Sequence, residues 1–185
     1  MINWCWERTK DRNLLHEILS IVEIKPTELN AILRCVEETD VYNAYIAYNS
    51  ESKKIEAIAI ATWLPKFNTL HIEDFALHPR IRKAGHSVTL WNSWVHFISE
   101  SEKWICDANV SMTIEVYIHN VVAWRKIMGV EPLLLYKTKL WWETEEILWM
   151  GKNLKYPATA IILEWIDIQQ KEKIRQQATT IKSKL

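Results

Sequence analysis

The 185-residue sequence has only three glycines, no excess charge of either sign and no long apolar run. Basic and acidic residues balance at 23 each, so the chain as a whole lacks the positive surface that nucleic-acid partners select. A membrane-spanning helix needs about 20 consecutive apolar residues, and the N-terminus is too polar for a secretory signal. These absences predict a cytoplasmic protein without a membrane partner.

Cysteine is also scarce. Cys5, Cys35 and Cys106 are scattered and lack the short spacing of a metal or redox motif. We expect them to be buried free thiols in a reducing compartment. The histidines show no metal-ligand spacing either, so the sequence predicts no metal.

Tryptophan, in contrast, is abundant, with 11 residues. Large aromatic side chains fill a small core efficiently, so we expect most of them in the core or at an interface. The segment 133–150, which includes Trp141 and Trp142, would be a sensible contact surface for a homodimer. At 49% apolar and 25% charged residues, the composition is that of an ordinary globular domain.

Hydrophobic periodicity divides the chain into strands and helices. A period of two predicts strands, and a helical period predicts helices. Strands are predicted at 2–6, 42–49, 55–63, 70–77, 111–118, 133–142 and 147–154, and helices at 8–22, after Pro26, after Gly85, from Asn120 to Gly129 and from 158 onward. This order predicts an α/β (α+β) fold with a central mixed β-sheet flanked by helices. The domain covers 1–157, and 158–185 forms a C-terminal helical extension.

The segment between the strand 70–77 and the next helix carries the clearest chemical signal. Arg82 and Lys83 lie just before Gly85, and a helix follows. A basic turn that leads into a helix N-terminus binds anions, because backbone N–H groups and the helix dipole both favour negative charge. Gly85 would leave room for a phosphate close to the backbone. The competing interpretation is a solvated basic turn.

Two motifs resemble those of the GNAT superfamily of acetyl-CoA-dependent N-acetyltransferases. The run 82–87 is similar to its signature Gln/Arg-x-x-Gly-x-Gly/Ala, with Ser87 at the last position, and 75–79 resembles the end of its fourth strand. The run 115–132, with Asn120 and Gly129, is similar to a later motif of the family. Trp124 and the residues after it also resemble acetyltransferase-like proteins of bacteriophages.

The resemblance implies an acetyl-CoA site. The backbone of Phe75, Ala76 and Leu77 would pair with the pantetheine arm. The diphosphate would lie on the amides of the run that comprises Arg82, Lys83, Ala84, Gly85, His86 and Ser87. Asn120 would contact the same molecule, or it would only cap its helix. No metal is implied.

Strand alternation selects the candidate bases. His71, Glu73, Phe75 and Leu77 should share one face of their strand, in the part of the strand where GNAT enzymes commonly carry a base. Glu73 is the first choice and His71 the second, and burial should raise the pKa of Glu73. The competing interpretation is an ordinary polar pair on an open face.

The general acid is less clearly marked. The helix after Asn120 contains no tyrosine at the place where the family often has one. Tyr117 or the strand residue Tyr136 would replace it, or water would protonate the thiolate, or the protein would have lost activity.

The sequence therefore predicts transfer of an acetyl group to a primary amine by direct attack. The acceptor could be a protein N-terminus, a lysine, a small amine or an aminoacyl or nucleic-acid group. The even charge argues against nucleic acid, although the basic segment 171–185 leaves such a contact open. One alternative is an inactive GNAT-fold binding or structural protein, such as a viral one, and another is an unrelated α/β domain.

Overall fold

The computed structural model describes residues 4–21, 36, 42–102, 110–139 and 144–182. These residues contain seven strands: β1 (Trp4–Thr9), β2 (Tyr42–Asn49), β3 (Ile55–Leu64), β4 (Thr69–Leu77), β5 (Ser111–Tyr117), β6 (Pro132–Lys139) and β7 (Thr144–Lys152). The helices are α1 (Arg12–Ile21), α2 (Pro79–Lys83), α3 (Ser87–Ser101), α4 (Val121–Met128) and α5 (Ala158–Lys182). The predicted helix after Pro26, Cys35, Cys106, Trp141 and Trp142 lie outside the described residues.

The strands form one mixed sheet in the order β1-β2-β3-β4-β5-β7-β6. Among the described strands, β4 and β5 pair in parallel and the other neighbours are antiparallel. The predicted mixed sheet with flanking helices is confirmed. None of the described helices combines the length and the apolarity needed to cross a bilayer.

Side-chain size differs between the two faces of β3. Ala57, Ala59 and Ala61 lie on one face and Ile58 and Ile60 on the other, as the period of two in a strand requires. The alanine face leaves room for large rings, and Trp6, Trp91 and Trp94 pack in the same cluster. The predicted aromatic core is therefore present, with α3 and α4 on this face and α1 and α5 on the opposite one.

A β-bulge interrupts β4 at Glu73. Ile60 pairs with Asp74 and Ala61 with Ile72, so Glu73 is an extra residue opposite β3. The predicted alternation was therefore wrong beyond this point. His71 and Glu73 contact Trp165 of α5, whereas Phe75 and Leu77 belong to the tryptophan-rich cluster under α3.

The first half of α5 packs on the sheet. Ile161 is fully buried and clusters with Leu64, Phe67 and Trp149. The described side chains of this helix end at Lys171, so the boundary at 157 and the basic segment 171–185 stay predictions. Cys5 is a free thiol, but it is partly exposed, which corrects the expectation that it would be buried.

Candidate active site

Strands β4 and β5 separate halfway along their length. Their parallel pairing ends at Ile72 and Ile114, while β4 continues along β3 and β5 along β7. A cavity of about 240 Å³ lies where they part, lined by Glu73, Asp74, Phe75, Ile114, Glu115, Val116, Tyr117, Asn120 and Trp124. The two strands therefore form a V-shaped gap.

The lining of the gap has an aromatic part. Phe75 of β4 contacts Trp91 with ring centres 5.2 Å apart and Trp124 at 6.1 Å. Trp91 and Trp124 also meet edge to face at 5.6 Å. These contacts hold Trp124 at the wall of the cavity and give that wall an apolar surface.

The gap also contains three carboxylates, on Glu73, Asp74 and Glu115. Like charges raise the pKa of a carboxyl group because each disfavours ionisation of the others. Burial is the largest cause of the raised pKa of Glu73, which is about 7, and Glu115 and Asp74 add to it. Hydrogen bonds from Thr62 and Trp165 act in the opposite direction. Glu73 therefore gains and loses its proton near neutral pH. This agrees with the expectation that burial raises the pKa of Glu73.

The hydrogen bonds of Glu73 all meet at one oxygen. Its Oε1 accepts from Thr62 Oγ1 at 2.6 Å, from Trp165 Nε1 at 3.1 Å and from Gln169 Nε2 at 3.4 Å. Among the described residues, Oε2 has no hydrogen-bond partner. The carboxylate is thus fixed through one oxygen and can use the other in the cavity.

His71 lies beneath the cavity and does not line it. Its ring stacks on Trp149 at 4.7 Å and contacts Trp165 at 4.8 Å, and its Nδ1 is 2.9 Å from Thr113 Oγ1. The residue is fully buried, and this burial lowers the pKa of the imidazole to about 3. His71 is therefore neutral at physiological pH and supports the packing below Glu73.

Tyr117 and Asn120 lie at the cavity wall, where β5 leads into α4. Tyr117 is exposed, and its ring stacks on His119 at 5.7 Å. Asn120 precedes α4, but its side chain makes no capping hydrogen bond, so capping does not explain this residue. The side chain of Tyr136, in β6, lies outside the described residues.

The basic turn folds into the short helix α2 and a left-handed Gly85. The amides of Arg82, Ala84, Gly85 and His86 donate to backbone carbonyls of the same segment at 3.1–3.3 Å. Within α3 the first such bond runs from Leu90 to His86, at 3.0 Å. The amides that begin at Ser87 therefore have no partner within the helix, and His86 provides no side-chain cap. This narrows the predicted anion site to the first turn of α3.

Gly85 and the nearby cations favour an anion at this place. Gly85 has a φ of +78°, and a Cβ added to it would meet no atom within 4 Å. Arg82 and Lys83 are exposed in the last turn of α2. Arg80, in contrast, is bound to the buried Glu56. Open backbone, helix amides without a helical partner and two cations therefore occur together, an arrangement that favours anions in general.

No group of three or more histidine, cysteine or acidic residues able to hold a metal ion occurs in the part of the chain that the structure describes. No protein-family model matches the sequence, and no curated protein matches it either.

Solved structures do match the fold. The spermidine/spermine N-acetyltransferase SpeG from Vibrio cholerae is 9% identical, with a TM-score of 0.60 over 80% of this chain and 91% of that one. A GNAT-family protein from Desulfovibrio desulfuricans is 14% identical, with a TM-score of 0.61 over 81% and 98%. The ribosomal-protein-S18-alanine N-acetyltransferase from Escherichia coli is 16% identical, with a TM-score of 0.57 over 85% and 97%.

The chain therefore has the GNAT fold, with the strand separation between β4 and β5 at its centre. At 9–16% identity the likeness shows the fold, and the chemistry follows from this chain's own residues.

Several residues of the gap were not predicted from the sequence. Glu115 and Tyr117 are two residues apart on β5, so their side chains lie on the same face of the strand. This spacing could have predicted Glu115 beside Tyr117. Thr62, Trp165 and Gln169 gave no such signal, because tertiary packing alone brings them to Glu73.

Proposed function

We propose that this chain is an acyl-CoA-dependent N-acyltransferase that moves an acetyl group from acetyl-CoA to a primary amine. The observation that carries the proposal is Glu73, a carboxylate with a pKa of about 7 at the wall of the gap between β4 and β5. Structural neighbours named for spermidine and for a ribosomal-protein alanine also support transfer to an amine.

The proposed acetyl-CoA site runs from the first turn of α3 to the gap. Amides from Ser87 onward and the cations Arg82 and Lys83 would hold the diphosphate. Ala84 and His86, which flank Gly85, would lie beside the diphosphate. The run Phe75, Ala76 and Leu77 has no paired partner on β5, so its backbone can pair with the pantetheine amides. Asn120 lies at the wall of the same gap.

Bound acetyl-CoA would supply a thioester, whose carbonyl carbon is the electrophile and whose thiolate departs. An alkyl ammonium has a pKa of about 10.4 and cannot attack before it loses a proton. Glu73 accepts that proton, directly or through one water. A bond forms from nitrogen to the acyl carbon as the carbon–sulfur bond breaks. Tyr117 gives its hydroxyl proton to the departing sulfur. The nitrogen then loses its second proton to the tyrosinate through water, and Glu73 releases the first proton to solvent.

The acceptor enters as a cation. Glu73, Asp74 and Glu115 together give the cavity an acidic lining, which attracts a protonated amine and disfavours an anionic acceptor. The same carboxylates raise the pKa of Glu73, so binding and proton transfer depend on one group of side chains.

Calorimetric titration with acetyl-CoA tests the cofactor site. Gly85→Trp should abolish binding, because the indole would fill the open space beside the backbone. Gly129→Trp is a matched control, since Gly129 also has a left-handed φ, +70°, and an open Cβ direction. Both variants carry a similar backbone strain, about 1–2 kcal/mol.

Binding by the wild type and by Gly129→Trp, but not by Gly85→Trp, would support the site. A folded wild type that does not bind acetyl-CoA would refute the proposal and favour an inactive binding protein with this fold.

A further inference from the structure

We propose that the C-terminal helix α5 is a working part of the active site, in which Trp165 and Gln169 position the carboxylate of Glu73. This inference rests on the proposed function, because it takes Glu73 as the base. The sequence marked this segment only as a helical extension, and no motif connected it with catalysis.

Two of the three hydrogen bonds to Glu73 come from α5. Trp165 Nε1 donates at 3.1 Å and Gln169 Nε2 at 3.4 Å, and both reach the same oxygen, Oε1. The third donor, Thr62, belongs to β3. Trp165 and Gln169 are four residues apart, so they lie one turn apart on the same face of the helix.

The donors on α5 are themselves held in place. The indole of Trp165 contacts His71 at 4.8 Å and Trp149 at 5.7 Å. Four residues earlier, the fully buried Ile161 fixes the helix on the sheet. Gln169 also donates to the hydroxyl of Tyr42 on β2. The helix can therefore rotate or slide only if these contacts break.

The consequence for Glu73 is a fixed orientation. Since Oε1 takes all three hydrogen bonds, Oε2 is the oxygen that remains for a substrate proton. A base must lie within hydrogen-bond reach of the proton it removes, and a carboxylate held through one oxygen meets that demand better than a rotating one. The charged groups near this carboxylate are Asp74 beside it on β4 and Glu115 on β5, and His71 below is neutral.

The decisive variant is Trp165→Phe, which keeps an aromatic ring against His71 and Trp149 but removes the N–H donor. Loss of a hydrogen bond to the ionised form should raise the pKa of Glu73 above its wild-type value. We expect the rising limb of kcat/KM against pH to move to higher pH, with a loss of about tenfold in kcat/KM at pH 7. The KM for acetyl-CoA should not change.

Trp149→Phe is the matched control. Trp149 belongs to the same aromatic group, but its Nε1 has no hydrogen-bond partner among the described residues. This variant should leave the pKa of Glu73 unchanged. Gln169→Met, which keeps the length of the side chain and loses the donor, should move the pH profile in the same direction as Trp165→Phe.

Carbon-13 NMR titration of the labelled Glu73 carboxyl makes the test independent of activity. A higher pKa in Trp165→Phe than in Trp149→Phe would support the positioning role. Equal pKa values in the two variants would overturn it and leave α5 as packing only. If Glu73→Gln retains full turnover, the proposed base is refuted, and the titration still reports separately whether α5 holds the carboxylate.

Discussion

Replacing Glu73 with glutamine should make the protein more stable and less active. The substitution keeps the shape of the side chain and an oxygen that accepts the bonds from Thr62 and Trp165. It removes only the charge. In the folded protein the pKa of Glu73 rises from 4.5 to about 7, mainly because of burial. A buried charge of this kind destabilises the folded state.

The magnitude follows from the difference in pKa between the folded and unfolded states. Each pH unit of difference corresponds to about 1.4 kcal/mol, so ionisation of Glu73 costs about 2–3 kcal/mol of the free energy of unfolding after allowance for its partial exposure. Below pH 4.5 the group is protonated in both states and costs nothing. Between pH 4.5 and about 7 the unfolded chain ionises first, so stability falls as the pH rises.

Urea unfolding of the wild type and Glu73→Gln near pH 4 and pH 8 measures this effect. The two proteins should differ by about 2–3 kcal/mol more at pH 8 than at pH 4, in favour of the variant. Glu51→Gln, at an exposed position in the β2–β3 turn, is the control and should show no such pH-dependent gain. A difference between Glu73→Gln and the wild type that is independent of pH would refute the reasoning.

Two further predictions concern turnover. Glu115→Gln removes one negative charge from the cavity, so the KM for a cationic amine should rise roughly tenfold, while the KM for acetyl-CoA stays constant. Initial rates at varied concentrations of both substrates measure the two KM values. A parallel rise in both KM values would contradict this prediction. Tyr117→Phe removes the proposed proton donor, so kcat should fall by about 100-fold in an assay of released CoA thiol, and an unchanged kcat would point to water as the donor.

Much of the fold could be predicted from the sequence because local patterns determine it. The alternation in 55–63 and 111–118 predicted strands close to β3 and β5, and Gly129 predicted the end of α4. Gly129 has a left-handed φ of +70° there, which glycine adopts without strain.

The bulge at Glu73 could not be predicted in the same way. It depends on the pairing of β3 with β4, and nothing in the residues around Glu73 marks an extra residue. The proposed base, Glu73, was therefore selected with an incomplete geometric reason. Glu73 stays on the α5 face with His71, and the bulge moves Phe75 to the aromatic face.

The anion site shows a different limit. Basic residues before a glycine predicted a turn with inward amides, but Pro79 begins a short helix that uses those amides internally. The contacts of α5 were also beyond sequence reasoning, because Trp165 and Glu73 are far apart along the chain and meet only in the folded sheet.

The short ladder between β4 and β5 has a mechanical consequence. In the described part of the chain, the ladder that joins the two halves of the sheet, β1 to β4 and β5 to β7, has four residue pairs. A ligand that fills the gap and pairs with both strands would act as a missing length of strand and stiffen the whole sheet. Amide hydrogen exchange in 73–77 and 115–117 should therefore slow when the gap is occupied. The rigidity of the sheet would then depend on whether substrate is bound.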